Sequence, residues 1–216
     1  MNVRKTTTLL RRTASGFRYA FFTLTHPIRG FYEMRFEGQG SLSGSCAVIL
    51  LFVISMIFNA QLNGFIFNTN NVKEFNIIRQ IVNVLAPIVL WCTANWSVTV
   101  LLDGEGRFKD IFMATGYALL PFAISNYLTL IATNILSGDE AAFVGIITSL
   151  GIFWTALLLF CGILTVHQFT VTRNVVSILL TVFGMAFIIF LLILLAGIFD
   201  KLFSYIQSII TEVSLR

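Results

Sequence analysis

Residues Trp91 to Pro121 read WCTANWSVTVLLDGEGRFKDIFMATGYALLP. Two apolar runs meet across an eight-residue charged turn, Asp103-Gly-Glu-Gly-Arg-Phe-Lys-Asp110. Followed outward, each run grows to the roughly 20 residues that carry a helix across a bilayer. The stretch therefore reads as the turn of a transmembrane hairpin. It also holds two of the three tryptophans and the densest charge of the central region.

The composition agrees. Hydrophobic residues make up 57% of the chain and charged residues 11%, against about 25% charged in soluble domains. Apolar runs in soluble cores are shorter and broken by charge. Working outward from the turn, the fold class is an all-α membrane protein with five transmembrane helices, a basic amphipathic N-terminal arm and an amphipathic C-terminal helix. The spans fall at Ser41–Phe58, Ile81–Leu102, Ile111–Ile135, Ala141–Val166 and Val175–Phe199. An Asn-rich loop, Gly64–Gln80, favours turns after the first span. A polar turn, Ser137-Gly-Asp-Glu140, and a short loop, His167–Asn174, separate the later ones.

Residues 1–40 hold seven of the fourteen Lys and Arg: Arg4, Lys5, Arg11, Arg12, Arg18, Arg29 and Arg35. Phe17, Ala20, Phe21 and Leu24 recur at helical spacing, with Arg11, Ser15 and Arg18 on the opposite side. Pro27 ends that helix because it disfavours helical backbone at His26. A shorter segment, Ile28–Phe36, runs to the break at Gly38-Gln-Gly40. The arm reads as lying on an anionic leaflet, with Arg4, Lys5, Arg11, Arg12 and Arg18 facing lipid headgroups at about 1 kcal/mol each. A partner-docking or topogenic arm is the alternative. Arg11-Arg12 and Arg18 interrupt any leader-like apolar core, so the N-terminus is expected to be retained. In the tail, Asp200–Arg216, the residues Leu202, Phe203, Ile206, Ile209, Ile210 and Val213 share one face, and Ser204, Gln207, Ser208 and Thr211 the other; such a helix is expected at the membrane surface. The chain thus divides into an arm (1–40), a transmembrane domain (41–199) and a terminal helix (200–216). With the N-terminus cytoplasmic, ten Lys and Arg fall on the cytoplasmic side and four outside. That asymmetry orients the chain with its C-terminus extracytoplasmic and the 103–110 turn cytoplasmic.

No predicted span interior contains Asp, Glu, Lys or Arg, which weakens a proton-coupled mechanism. Cys46, Cys92 and Cys161 lack metal or redox spacing and read as packing residues. His26 and His167 read as solvated or capping groups at span or loop ends. Asp103, Glu105 and Asp110 could meet a divalent ion, but calcium-loop spacing is absent, and a solvated turn neutralised by Arg107 and Lys109 is the simpler reading. Trp91, Asn95 and Thr99 lie on one helical stripe. Asn95 and Thr99 are intramembrane polar groups that must find partners, as helix–helix glue or as part of a solute path with Asn83, Asn126 and Asn134. Pro121 has no N–H for the Tyr117 carbonyl, which predicts a kink in the third span. Gly116 with Ala114 and Ala118, Gly145 with Ser149, Gly184, and Ala196-Gly197 are candidate packing notches.

Gly116-Tyr117-Ala118-Leu119-Leu120-Pro121, in the third of five spans, resembles the hallmark of the Yip/Yif (Yip1-domain) membrane-protein family. His26-Pro27-x-x-Gly30-Phe31-x-Glu33, Gly40-Ser41-Leu42, Ala94-Asn95-Trp96-Ser97 and the 103–110 turn are similar to a bacterial branch of it. The likeness covers about residues 25–200 and makes Gly116, Tyr117, Leu120 and Pro121 the family motif. It implies a helical multi-pass protein of the cell membrane, without enzymatic activity or cofactor. Eukaryotic relatives act in vesicle trafficking and bind Rab GTPases and one another; their acidic Asp-Leu-Tyr-Gly-Pro motif is not seen here, and the arm is basic instead. The expected function is that of a membrane organiser or accessory subunit. Its partners would be anionic lipids and other membrane proteins in homo- or hetero-oligomers, not nucleic acid. The docking surface would be Asp103, Glu105, Arg107, Lys109 and Asp110. The alternative is a small-solute permeation unit or transporter subunit. A lipid-modifying enzyme lacks any nucleophile–base or metal constellation.

Overall fold

The structure, a computed structural model, describes residues 16–68 and 75–214. Among these, all regular structure is helical. Helix α1 covers residues 16–25, followed by α2 (Pro27–Phe36), α3 (Leu42–Leu62), α4 (Ile77–Leu101), α5 (Phe108–Ala118), α6 (Leu120–Ile135), a 3-10 turn (Gly138–Glu140), α7 (Ala141–His167) and α8 (Val171–Ser214). With α5 and α6 counted as one span, five helices are long and apolar enough to cross a membrane. Their starts are capped as the sequence allows. Ser41 accepts from the Gly44 N–H, Asn76 accepts from the N–H groups of Ile78 and Arg79, and Ser137 and Glu140 cap each other.

The pairing of helices follows their small and polar residues. Ser45 faces the carbonyls of Phe112 and Met113, Ser55 faces Asn126, and Asn63 faces Thr133, so α3 runs parallel to α5–α6. Along α7 the order reverses. Gly162 meets Ala114, Gly151 meets Ser125, and Thr148 meets Thr129. A β-carbon at Gly116 would overlap the Ser45 hydroxyl, and one at Gly44 would lie 2.7 Å from the Gly16 Cα. Glycine is needed there because two helix backbones touch. Gly184 packs more loosely, a β-carbon there lying 3.3 Å from a Val98 methyl, and one added at Gly145 or Gly197 would have nothing within 4 Å, so neither of these serves as a notch.

The third span is interrupted at Leu119, between α5 and α6. The Leu119 N–H is shared between the carbonyls of Thr115 (3.2 Å) and Gly116 (3.3 Å), and Pro121 supplies no donor to Tyr117. Tyr117, Leu120 and Pro121 are all buried at this break. The other intramembrane proline, Pro87, sits inside an unbroken α4.

Two regions differ from the sequence expectation. The described half of the arm does not lie flat on a leaflet. Gly16 packs beside Ser41 and Gly44, at the start of α3. The Leu24 carbonyl accepts a hydrogen bond from Trp154 Nε1 (3.3 Å), at the midpoint of α7. The chain then turns at Thr25-His26-Pro27 and comes back along α2, through Phe31 against Gly162 and Ala114, to Arg35 beside Glu105. Helices α1 and α2 therefore form a re-entrant hairpin that descends about half the depth of the bundle. Irregular backbone at such depth is tolerated where protein covers it. Its α1 half buries the small residues Gly16, Ala20 and Thr23, and its α2 half buries Gly30, Phe31 and Met34, while Phe21 of the expected apolar stripe is exposed. Arg18 is exposed; Arg4, Lys5, Arg11 and Arg12 lie outside the described residues.

The second difference is the tail. Span five and the terminal helix are one element, α8, 44 residues long. No proline interrupts it after Val171, so the hydrogen-bond ladder has no cause to break at Asp200.

Candidate functional site

The 103–110 turn is folded around one side chain, His167. Helix α4 ends with Asp103 in the left-handed region (φ 52°), and the Gly104 N–H closes the helix on the Thr99 carbonyl at 2.8 Å. Aspartate tolerates that conformation better than most residues. The chain then passes directly over the imidazole. A β-carbon at Gly104 would lie 2.6 Å from His167 Nδ1, and one at Gly106 2.6 Å from Cε1. His167 is 2% exposed and cannot move aside. This contact explains the Gly-Glu-Gly spacing: both glycines are where backbone meets ring.

The Gly106 N–H donates to His167 Nδ1 at 3.2 Å, which places the ring proton on Nε2. Nε2 is buried without a partner, so the imidazole acts as a post inside the turn rather than as an exposed base. Phe169 stacks on it at 5.2 Å between ring centroids.

Glu105, between the two glycines, ties three segments together. Its carbonyl accepts from Arg35 Nη2 at 3.0 Å, and its carboxylate lies 3.4 Å from the same nitrogen. Gln168, itself left-handed at φ 54°, donates to that carboxylate at 2.9 Å. The Arg35 side chain is only 11% exposed, so loss of Glu105 would strand a largely desolvated cation. Asp103 pairs with Arg173 at 3.6 Å, and Arg173 also donates to the Leu102 carbonyl. Asp110 pairs with Arg107 at 3.8 Å. The three carboxylates that might have shared a divalent ion thus turn to three different cations. Arg107 and Lys109 project outward, the Arg107 side chain being 90% exposed.

The intramembrane polar residues are elsewhere. Asn95 donates to Thr181 at 3.0 Å, joining α4 to α8. Thr99 hydrogen-bonds within its own helix, to the Asn95 and Trp96 carbonyls. Asn126 donates to Ser55 and Asn134 to the Leu62 carbonyl, both across α3–α6, and Asn83 is exposed. Asn95 thus stands at the α4–α8 contact, Asn126 and Asn134 at the α3–α6 contact, and Asn83 on the outer surface, so the four asparagines of the solute-path reading do not gather in one place. In the family-like motif, the Tyr117 hydroxyl donates to the Ser41 carbonyl and accepts from the Ser41 N–H, both at 3.0 Å. It pins the start of α3 to the third span.

His167, expected from the sequence as a solvated or capping group, is buried instead, and Arg35 and Gln168 join this junction without having been singled out as site residues. The Gly-x-Gly spacing is the available signal, since paired glycines mark close backbone approach. A comparison with family models matches the Yip1 domain to residues 21–195. Comparisons with curated proteins and with solved structures return no match.

Proposed function

The chain belongs to the Yip1-domain family, and from that premise we propose that it is a non-catalytic membrane organiser or accessory subunit whose 103–110 face docks a partner. The observation that supports this reading is the junction at His167. The arm, the turn after α4 and the turn after α7 are held in one unit, and Arg107 and Lys109 point away from it. A fixed backbone carrying outward-facing cations suits a partner with an acidic surface, whether protein or anionic headgroup. We place this face in the cytoplasm and the C-terminus outside the cell membrane, on the Lys and Arg asymmetry, and assign the chain to the bacterial branch on its motifs. The buried histidine post and the dispersed carboxylates offer no acid–base pair, which supports a role without catalysis. The permeation reading has less support, because its asparagines are spent on separate helix contacts.

The test is gentle-detergent purification of the full chain from its native membrane, as wild type, as Arg107→Glu with Lys109→Glu, and as Arg79→Glu at the opposite end of α4. Co-purifying protein or anionic lipid should be lost in the double variant and kept in Arg79→Glu. Identical recovery from all three would refute docking through this face. A cysteine placed at Lys109 should resist membrane-impermeant labelling of intact cells, and one at Asn68 should react; the reverse would invert the orientation.

A further inference from the structure

Helix α8 carries the largest unpartnered surface of the molecule. Its 44 residues span about 66 Å at 1.5 Å per residue, twice the ~30 Å hydrocarbon core. Contact with the bundle is confined to its first third. Asn174, Ser177 and Thr181 are fully buried, and Gly184 rests on Val98. From Ile189 to Ser208 every residue is exposed. Lipid covers the membrane part of that surface. Beyond Asp200, lipid no longer reaches a straight helix. Yet Leu202, Phe203, Ile206 and Ile210 remain 52–64% exposed, in a stripe that water will not tolerate uncovered.

The spacing of the stripe indicates what covers it. Ile188, Leu192, Leu195, Phe199, Leu202 and Ile206 are separated by alternating steps of four and three. This is the 3.5-residue repeat by which two helices wind round each other, and the sequence continues it at Ile209 and Val213. Residues 182–199 carry no polar side chain, so the repeat is marked by the tail, where Leu202, Ile206, Ile209 and Val213 follow Phe199 at steps of three and four between polar residues. Asp200 and Lys201 sit on the outer side of the repeat, so two identical helices bring no like charges together there. Copies of one chain inserted in the same direction present α8 parallel and in register, which closes a two-fold pair.

We propose that the occupant of this stripe is α8 of a second copy, forming a parallel homodimer that runs through the membrane and continues beyond it. The proposal is independent of the docking face, which lies on other elements.

The test uses the full chain co-expressed with two different epitope tags, with Cys46, Cys92 and Cys161 replaced by alanine. Single cysteines are placed on the repeat (Leu202→Cys, Ile206→Cys) or opposite it (Ser204→Cys, Gln207→Cys), and membranes are oxidised with copper phenanthroline. The repeat positions should convert the 24.2 kDa chain to a band of twice that mass carrying both tags, and the opposite positions should not. Equal crosslinking on both faces, crosslinking to a band of another mass, or none at all would overturn the proposal. A second arm keeps the native cysteines. Leu202→Asp with Ile206→Asp should abolish co-recovery of the two tags while expression stays at the wild-type level. Undiminished co-recovery would equally overturn it.

Discussion

The third span and α8 make the instructive comparison. Of the five spans, α8 is the most apolar and the least buried, with 6% of its most apolar stretch inside the bundle; α5–α6 is the least apolar and the most buried, at 50%. A soluble protein would show the reverse order. In a bilayer, lipid tails solvate leucine as well as another helix does, so apolar surface gives no reason to leave the lipid. Close backbone approach and interhelical hydrogen bonds do. The third span has them in Gly116 against Ser45, Tyr117 on Ser41 and Asn126 on Ser55. Between Val182 and Phe199 α8 has only hydrocarbon to offer, and it leaves the bundle where that apolar stretch begins, after Thr181 and Gly184.

Substitutions can break or sharpen this contrast, and the largest effect is expected at a backbone contact. Gly44→Val would drive a side chain into the Gly16 backbone and the Tyr117 hydroxyl, and overpacking of this kind costs about 3 kcal/mol. Unfolding by SDS titration in mixed micelles should show it, and a variant as stable as wild type would mean that the α1–α3 contact is not close. Next comes Tyr117→Phe, which removes both hydrogen bonds to Ser41. Losing both of these part-buried hydrogen bonds costs about 2 kcal/mol, read by the same titration and by faster proteolysis of the arm. Asn95→Leu removes the bond to Thr181 and should cost about 1 kcal/mol, the range of interhelical hydrogen bonds in membranes; an unchanged midpoint would mean that this bond does not hold α8 to α4. Smallest of all is Phe190→Leu. Phe190 is 58% exposed despite lying in the most apolar span, so monomer stability should stay within about 0.5 kcal/mol. A loss of about 2 kcal/mol or more would contradict the rule that apolar residues here face lipid.

How much is legible in advance depends on which force sets each feature. The five spans are legible because hydrogen-bond satisfaction in lipid demands about 20 apolar residues per helix, but their ends are less so: α4 begins at Ile77 rather than Ile81 and α8 at Val171 rather than Val175, because helical hydrogen bonding runs past the apolar stretch to a cap such as Asn76. The break near Pro121 is legible from a missing N–H. The arm is not, because Phe17, Ala20, Phe21 and Leu24 form a good amphipathic stripe, and a stripe alone does not say whether lipid or protein covers it. The face that packs, Gly16, Ala20 and Thr23, is conspicuous only for having little side chain. In the 103–110 turn the charged residues draw attention. The part that fixes the geometry is His167, sixty-one positions beyond Gly106.

By itself the sequence determined that this chain is a helical membrane protein, where its five spans lie to within a turn at their starts, and which family it resembles. Those follow from local quantities: apolar run length, capping residues, a proline and a short motif. Only the tertiary structure decided that the arm re-enters the bundle, that two glycines exist to admit His167, that Asn95, Asn126 and Asn134 bridge helices, and that α8 continues unbroken past Phe199. Each of these depends on which distant backbone lies within a few ångströms, and in lipid that choice is made by the absence of side chains as often as by their presence.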